Sequence, residues 1–224
     1  MRFIMVRTQR FNFIFHIIPF SILLLAASFF KVSFIFGSKM AFFSGVDIIS
    51  PLSGAIGGSL GALLLFFLRF CFQEVTPSLF ILRHLPGLCG AWYWSSSSVV
   101  IRALVPGLCM VLFLLHPVGI QAYAYSFFWL IPLTIYFFNV QSLFLQALGG
   151  TFVTHAVGSV IWLYTVPMMA GQWWALIPVV ILERVVFATI QVIVLWLYKH
   201  AGIILHKYTL IPTIKKLVAK APSL

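Results

Sequence analysis

The residues with chemistry to offer are few, and most stand inside apolar stretches, where an ionisable group is costly unless it faces a cavity or a partner. His155 has Thr151 and Ser159 one helical turn away on either side, a polar face suited to a buried ligand or an interhelical hydrogen bond. Glu183 and Arg184 are adjacent, so on a helix they point about 100 degrees apart and are expected not to pair with each other. One of them is expected to reach Arg102 or His155, and the other headgroups, substrate or a second subunit; a buried ion pair that fixes helix register is the alternative. Asp47 precedes Pro51 and either caps the following helix or meets a cationic ligand. His116 and Gln121 fall near the ends of neighbouring apolar stretches, and Trp173 and Trp174 open another. The tryptophans suit interfacial anchoring or an aromatic lid over a ring-shaped ligand.

Much chemistry is excluded. The chain has 3 acidic residues, too few for the carboxylate clusters of phosphotransfer metal sites, and its 6 histidines show no HxxxH or HExxH spacing. Cys71, Cys89 and Cys109 lack CxxC spacing, which leaves no basis for a zinc site or a disulfide framework. His155 and Ser159 are the adjacent base and nucleophile, but no GxSxG elbow or orienting carboxylate accompanies them. No P-loop pattern occurs. The expectation is a protein that is not an enzyme, carries no cofactor or metal, and draws any energy it uses from a partner.

The elements that position these residues belong in a bilayer. The chain is 62% hydrophobic and 8% charged, with a mean hydropathy of +1.12, whereas soluble domains are about 25% charged. With about 20 apolar residues needed per crossing, spans are expected at Asn12 to Phe36, Leu52 to Phe72, Ser98 to Leu115, Gln121 to Phe138, Ser142 to Val166 and Trp173 to Tyr198. Leu79 to Trp94, interrupted by Arg83, His84 and Pro86, reads as a re-entrant or interfacial segment or a short extra span. The expected fold class is therefore an all-α, polytopic membrane bundle of six helices, seven being possible, in a single domain covering residues 1–224.

The formal charge of +11 concentrates at the ends, with Arg2, Arg7 and Arg10 before the first stretch and Lys199, Lys207, Lys215, Lys216 and Lys220 after the last. Such flanks mark cytoplasmic ends and hold anionic lipid headgroups, so the charge points to membrane lipids and not to nucleic acid. The basic start and apolar run resemble a signal peptide, but the run exceeds a signal core and favours an uncleaved first helix. An even number of crossings then puts both termini in the cytoplasm of an inner-membrane protein. The loops around Asp47, after His116 and around Met168 to Gln172 are expected outside, and Glu74 to Ser97 inside, with Ser95 to Ser98 a turn.

Small residues give a second pattern. Ser53, Gly57 and Gly61 recur at spacing four, and Gly150, Thr154 and Gly158 form a similar line. Such stripes allow close helix approach in lipid, toward a neighbouring helix of the same chain or toward a partner subunit.

Taken together, FSGVDIISPLSGAIGGSLGALLLFFLRF (43–70), LFILRHLPGLCGAW (79–92), THAVGSVIWLY (154–164) and ALIPVVILERVVFA (175–188) resemble segments of the substrate-binding S components of energy-coupling-factor transporters. The resemblance implies a six-helix membrane subunit that binds a vitamin or metal ion in a pocket open to the outside. It also implies docking on a transmembrane coupling subunit driven by two ATPase subunits. Many members carry an AxxxA docking stripe on the first helix, whereas here Ala26 and Ala27 are adjacent; the Ser53, Gly57, Gly61 stripe would then take that role. On this reading the chain captures a vitamin-like molecule with His155, Thr151, Ser159, Glu183 and His116, gated by Trp173, Trp174 and Asp47. The alternatives are a structural scaffold similar to the rod-shape membrane protein MreD and a stand-alone permease.

Overall fold

A computed structural model describes residues 13–32, 43–72 and 76–218. Arg2, Arg7, Arg10, Glu74, Lys220 and the 33–36 end of the first expected span lie outside the described residues. Among the described residues the regular structure is helical apart from a two-residue antiparallel pairing of β1 (Lys31–Val32) with β2 (Phe43–Ser44). In chain order the helices are α1 (Phe13–Ser28), α2 (Gly45–Ile49), α3 (Leu52–Phe72) and α4 (Pro77–Ser95). Then come α5 (Val105–Leu115), α6 (Pro117–Gln121), α7 (Leu130–Phe137), α8 (Leu143–Thr165) and α9 (Ala170–Val218). A π-helical turn, Val100–Leu104, leads into α5, and a 3-10 stretch, Tyr123–Trp129, leads into α7. A chain this apolar satisfies its backbone polar groups within helices, as lipid demands.

Among the described residues, three helices are long and apolar enough to cross a membrane: Leu52–Cys71 in α3, Leu143–Thr165 in α8, and Ala170–His200 in α9. The other apolar helices, Pro19–Ser28, Val100–Leu115 and Tyr123–Phe137, have 10–17 residues each. The first expected span is cut short because α1 ends at Ser28 and the chain turns into the β1 pairing.

Leu79 to Trp94 is helical throughout. It forms the body of α4, a continuous helix of 19 residues that begins with Pro77 in the first turn, where a missing N–H costs nothing. It retains Pro86 in its interior and ends at Ser95, so the Ser95 to Ser98 run is the expected turn.

α4 lies between α3 and α8. A side chain on Gly54 would collide with the Ala91 carbonyl, one on Gly90 would collide with the Thr154 hydroxyl, and Gly158 faces Pro86. The pairings of Gly90 with Thr154 and of Pro86 with Gly158 make α4 and α8 antiparallel. The start of α4 and the α8–α9 connection consequently sit at the same end of the bundle. Pro77, in the stretch expected inside, and Met168 to Gln172, expected outside, are therefore not on opposite sides of the bundle, because the sequence reading left α4 out of the alternation.

At this end the Tyr164 hydroxyl donates to the Leu112 carbonyl at 2.9 Å and Trp174 Nε1 donates to the Gln121 carbonyl at 3.0 Å. At the opposite end Arg102 ties the chain together. Its Nε donates to Ser96 O at 2.9 Å, Nη1 to Gln146 Oε1 at 2.7 Å and Nη2 to Tyr93 O at 3.2 Å. Arg102 is thereby engaged far from Glu183, contrary to the expected pairing. Gln191 of α9 donates to Ile48 O at 2.9 Å and accepts from Trp94 Nε1 at 3.3 Å, which fixes α2 and α4 to the same region of α9. Phe20 of α1 meets Tyr198 edge-on at 6.5 Å, so α1 packs beside the later turns of α9.

The core has two parts. Phe113 stacks on Tyr125 with centroids 5.6 Å apart and meets Trp129 and Trp173 edge-on, which seats the two broken helices against α8 and α9. Phe20, Leu24, Ile48, Leu52, Phe187 and Leu195 form the second part, between α1, α2, α3 and α9. Cys89 and Cys109 are buried free thiols in or beside these layers, and Cys71 is exposed.

Gly58 interrupts α3 with φ 64 and ψ −166, an essentially glycine-only region that costs other residues about 1–3 kcal/mol. Gly58→Ala is expected to lose about 1–3 kcal/mol although nothing lies within 4 Å of its added methyl. Gly107→Ala, in the regular part of α5 with equally open space, is expected to gain about 0.5–1 kcal/mol. Unfolding midpoints in detergent distinguish the two.

Candidate functional site

A cavity of about 800 Å³ runs between α2, α3, α4, α8 and α9, with Leu24 of α1 and Tyr125 at its edges. Its volume falls in the range of small-molecule sites. The walls are mainly apolar (Leu65, Phe66, Leu88, Phe187), with polar groups in clusters.

The first cluster comes from two elements. Tyr125, on the 3-10 stretch, places its hydroxyl 2.9 Å from His155 Nε2 and 3.5 Å from Ser159 Oγ, and Ser159 Oγ lies 3.4 Å from the same Nε2. His155 and Ser159 share one face of α8 as the spacing of four requires, and Phe113, Trp129 and Trp173 hold the tyrosine ring over them. Every group here both donates and accepts hydrogen bonds, so the cluster can adapt to a ligand of either polarity.

The second cluster is Glu183 with Arg184, both buried on α9 and both lining the cavity. Arg184 Nη2 lies 3.0 Å from Glu183 Oε2, an ion pair between neighbours in sequence. The expectation that adjacency forbids such a pair is wrong. The long guanidinium arm sweeps back across the 100 degree separation, and in a low-dielectric interior the nearest opposite charge dominates. Neither residue is paired with Arg102 or His155. The guanidinium also rests 4.4 Å from the Phe187 ring centroid. The pair lies within electrostatic reach of Tyr125 and His155.

Asp47, Ser50, Ser53, Arg69, Arg83 and His84 form a third group along α2, α3 and α4. Arg69 lies within the electrostatic reach of Asp47. Asp47 therefore sits on the short helix α2 against the cavity.

Other expected residues stand elsewhere. Thr151 is buried with its hydroxyl donating to Leu148 O at 2.8 Å, and Thr154 lines the cavity in its place. Trp173 is 1% exposed and is a core residue that also lines the cavity, while Trp174 packs on Tyr123 outside it, so the two do not form a lid. His116 caps α6 by accepting from Val118 N at 3.2 Å and lines a neighbouring cavity of about 530 Å³. Ser53 and Gly61 are buried within the chain and Gly57 is half-buried. Tyr125 is the principal residue that sequence reasoning missed. Its partner stands 30 positions away, and nothing in AYAYSFF marks one aromatic residue above the others. Among the described residues no group of three or more His, Cys, Asp or Glu is arranged to hold a metal ion.

No family model, curated protein or solved structure matches this chain.

Proposed function

We propose that this chain is a membrane subunit that captures a small molecule between its helices and hands it to an ATP-driven importer. The observation that carries this reading is the cavity itself, where the Tyr125, His155, Ser159 cluster and the Glu183–Arg184 pair face one apolar chamber. Polar groups placed at few points in an apolar chamber orient a ligand without dissolving the fold. The resemblance to S components of energy-coupling-factor transporters supports the importer role, with a coupling subunit and two ATPases as partners. A scaffold reading draws less support, because Ser53 and Gly61 are already packed inside the chain.

In this proposal the crossings are α3, α4, the Val100–Leu115 stretch, the Tyr123–Phe137 stretch, α8 and α9. α1 lies beside the later turns of α9, and six crossings would have both termini on one side of the inner membrane, the cytoplasmic one by their basic residues.

Purification in detergent, followed by mass spectrometry of co-purifying proteins and of molecules released on denaturation, tests the reading. A stoichiometric small molecule is expected, and its retention should fall about tenfold in His155→Ala and in Tyr125→Phe, the worth of one good hydrogen bond. Thr151→Ala should retain it fully. A chain that releases no molecule and co-purifies with envelope assembly proteins would instead be a scaffold.

A further inference from the structure

Among the described residues that line the cavity, Asp47 and Glu183 carry negative charge, and Arg69, Arg83 and Arg184 carry positive charge. Glu183 and Arg184 neutralise each other, and Asp47 offsets one of the remaining two, so the wall keeps one positive charge. Arg69 of α3 and Arg83 of α4 lie within electrostatic reach of each other, and both lie within reach of the buried His84. Two helices therefore bring like charges toward one point. Among the described residues no hydrogen bond or ion pair engages either guanidinium. Nor does either belong to the buried polar groups closed to water, which are those of Tyr93, Trp129, Trp173, Glu183 and Arg184. Converging, unpaired cations repel one another unless an anion comes between them.

We infer that the ligand of this cavity is a compact apolar carboxylate, held at Arg69 and Arg83 with its apolar body against Leu65, Phe66, Leu88 and Phe187. The inference rests on the cavity being a ligand site. A guanidinium pairs with a carboxylate through two parallel hydrogen bonds, and both guanidiniums here keep their donors unused. A monoanion cancels the one excess charge on the wall. A phosphate monoester, at about −1.5 to −2, exceeds it, and a cation adds to it. The apolar wall suits a body with no further charge, and Tyr125, His155 and Ser159 offer a second polar point for a hydroxyl or carbonyl. Snorkelling to lipid headgroups accounts for Arg83, which is exposed. It does not account for Arg69, which is half-buried and within electrostatic reach of Asp47 on α2.

The test uses the full chain in phosphatidylcholine nanodiscs and three size-matched probes: biphenyl-4-carboxylate, biphenyl-4-carboxamide and biphenyl-4-ylmethylammonium. Affinities are read by ligand-observed NMR against empty discs and by the shift in unfolding midpoint. The carboxylate is expected to bind at least about tenfold tighter than either of the others, the worth of charge-assisted over neutral hydrogen bonds. Arg69→Gln and Arg83→Gln should each lower carboxylate affinity about tenfold and leave the carboxamide within about twofold. Arg69→Lys, which keeps the charge, should lose less than Arg69→Gln. A carboxylate that binds no tighter than the carboxamide or the ammonium overturns the inference while leaving the cavity a ligand site. So does a carboxylate preference unchanged in both glutamine variants. Replacing part of the lipid with phosphatidylglycerol should leave carboxylate binding in place; its abolition would show that the guanidiniums hold lipid headgroups, and overturns the inference. If no probe binds, the molecule released from purified chain decides. A carboxylate supports the inference, any other molecule overturns it, and release of nothing takes the capture reading down with it. Arg83 is exposed, so its variant decides should those at Arg69 not fold.

Discussion

Glu183→Ala is expected to destabilise the chain by about 3–5 kcal/mol, because it leaves the Arg184 guanidinium charged and uncompensated inside the bundle. Arg184→Ala should cost a similar amount by stranding the carboxylate. The paired replacement Glu183→Gln with Arg184→Met is expected to fall within about 1 kcal/mol of the unaltered chain or above it, since removing a buried pair together also removes its desolvation cost. The interaction is 3.0 Å long with side chains 5% and 6% exposed, so the two residues are close enough for their effects to be strongly non-additive. Equilibrium unfolding in mixed detergent micelles measures all three variants. Additive losses would show that each residue has a separate partner, the arrangement that the sequence suggested.

The second large effect is expected at Gly54. Its missing side chain is what lets the α3 backbone approach Ala91 of α4, and any Cβ there overlaps the Ala91 carbonyl. Gly54→Leu should therefore cost about 3 kcal/mol or more, at the upper end for overpacking, since both helices would have to separate along a contact shared with α8. Gly158→Ala is the control. An added methyl there meets Pro86 at 3.7 Å, an ordinary contact, and gains about 1 kcal/mol of helix propensity. Opposite signs at these two glycines, read as unfolding midpoints and as monodisperse yield, would confirm that the Gly54 face of α3 is internal packing. Equal tolerance would return it to the surface.

The polarity of the cavity was half visible in the sequence. His155 and Ser159 were found because residues four apart on a helix share a face whatever surrounds them. Thr151 satisfies the same spacing, yet its hydroxyl bonds to its own helix and Thr154 faces the chamber. Spacing gives relative angle along one helix, not which arc of it is turned inward. That arc was decided by α4, whose Gly90 abuts Thr154.

Composition and hydropathy by themselves determined a helical, membrane-suited chain, the positions of α3, α8 and the apolar part of α9, and the absence of motifs for metal or phosphate chemistry. These follow from local quantities, the apolar content of a window and the spacing of residue types within one helix. Tertiary structure alone decided that Leu79 to Trp94 is a full helix, because close contacts from Gly54 and Gly90 offset what Arg83, His84 and Pro86 cost. It alone brought Tyr125 to His155, closed Glu183 onto Arg184, and sent Arg102 to Ser96 and Gln146. Those outcomes depend on which backbones approach within a side chain's reach, a non-local condition that no window of sequence contains.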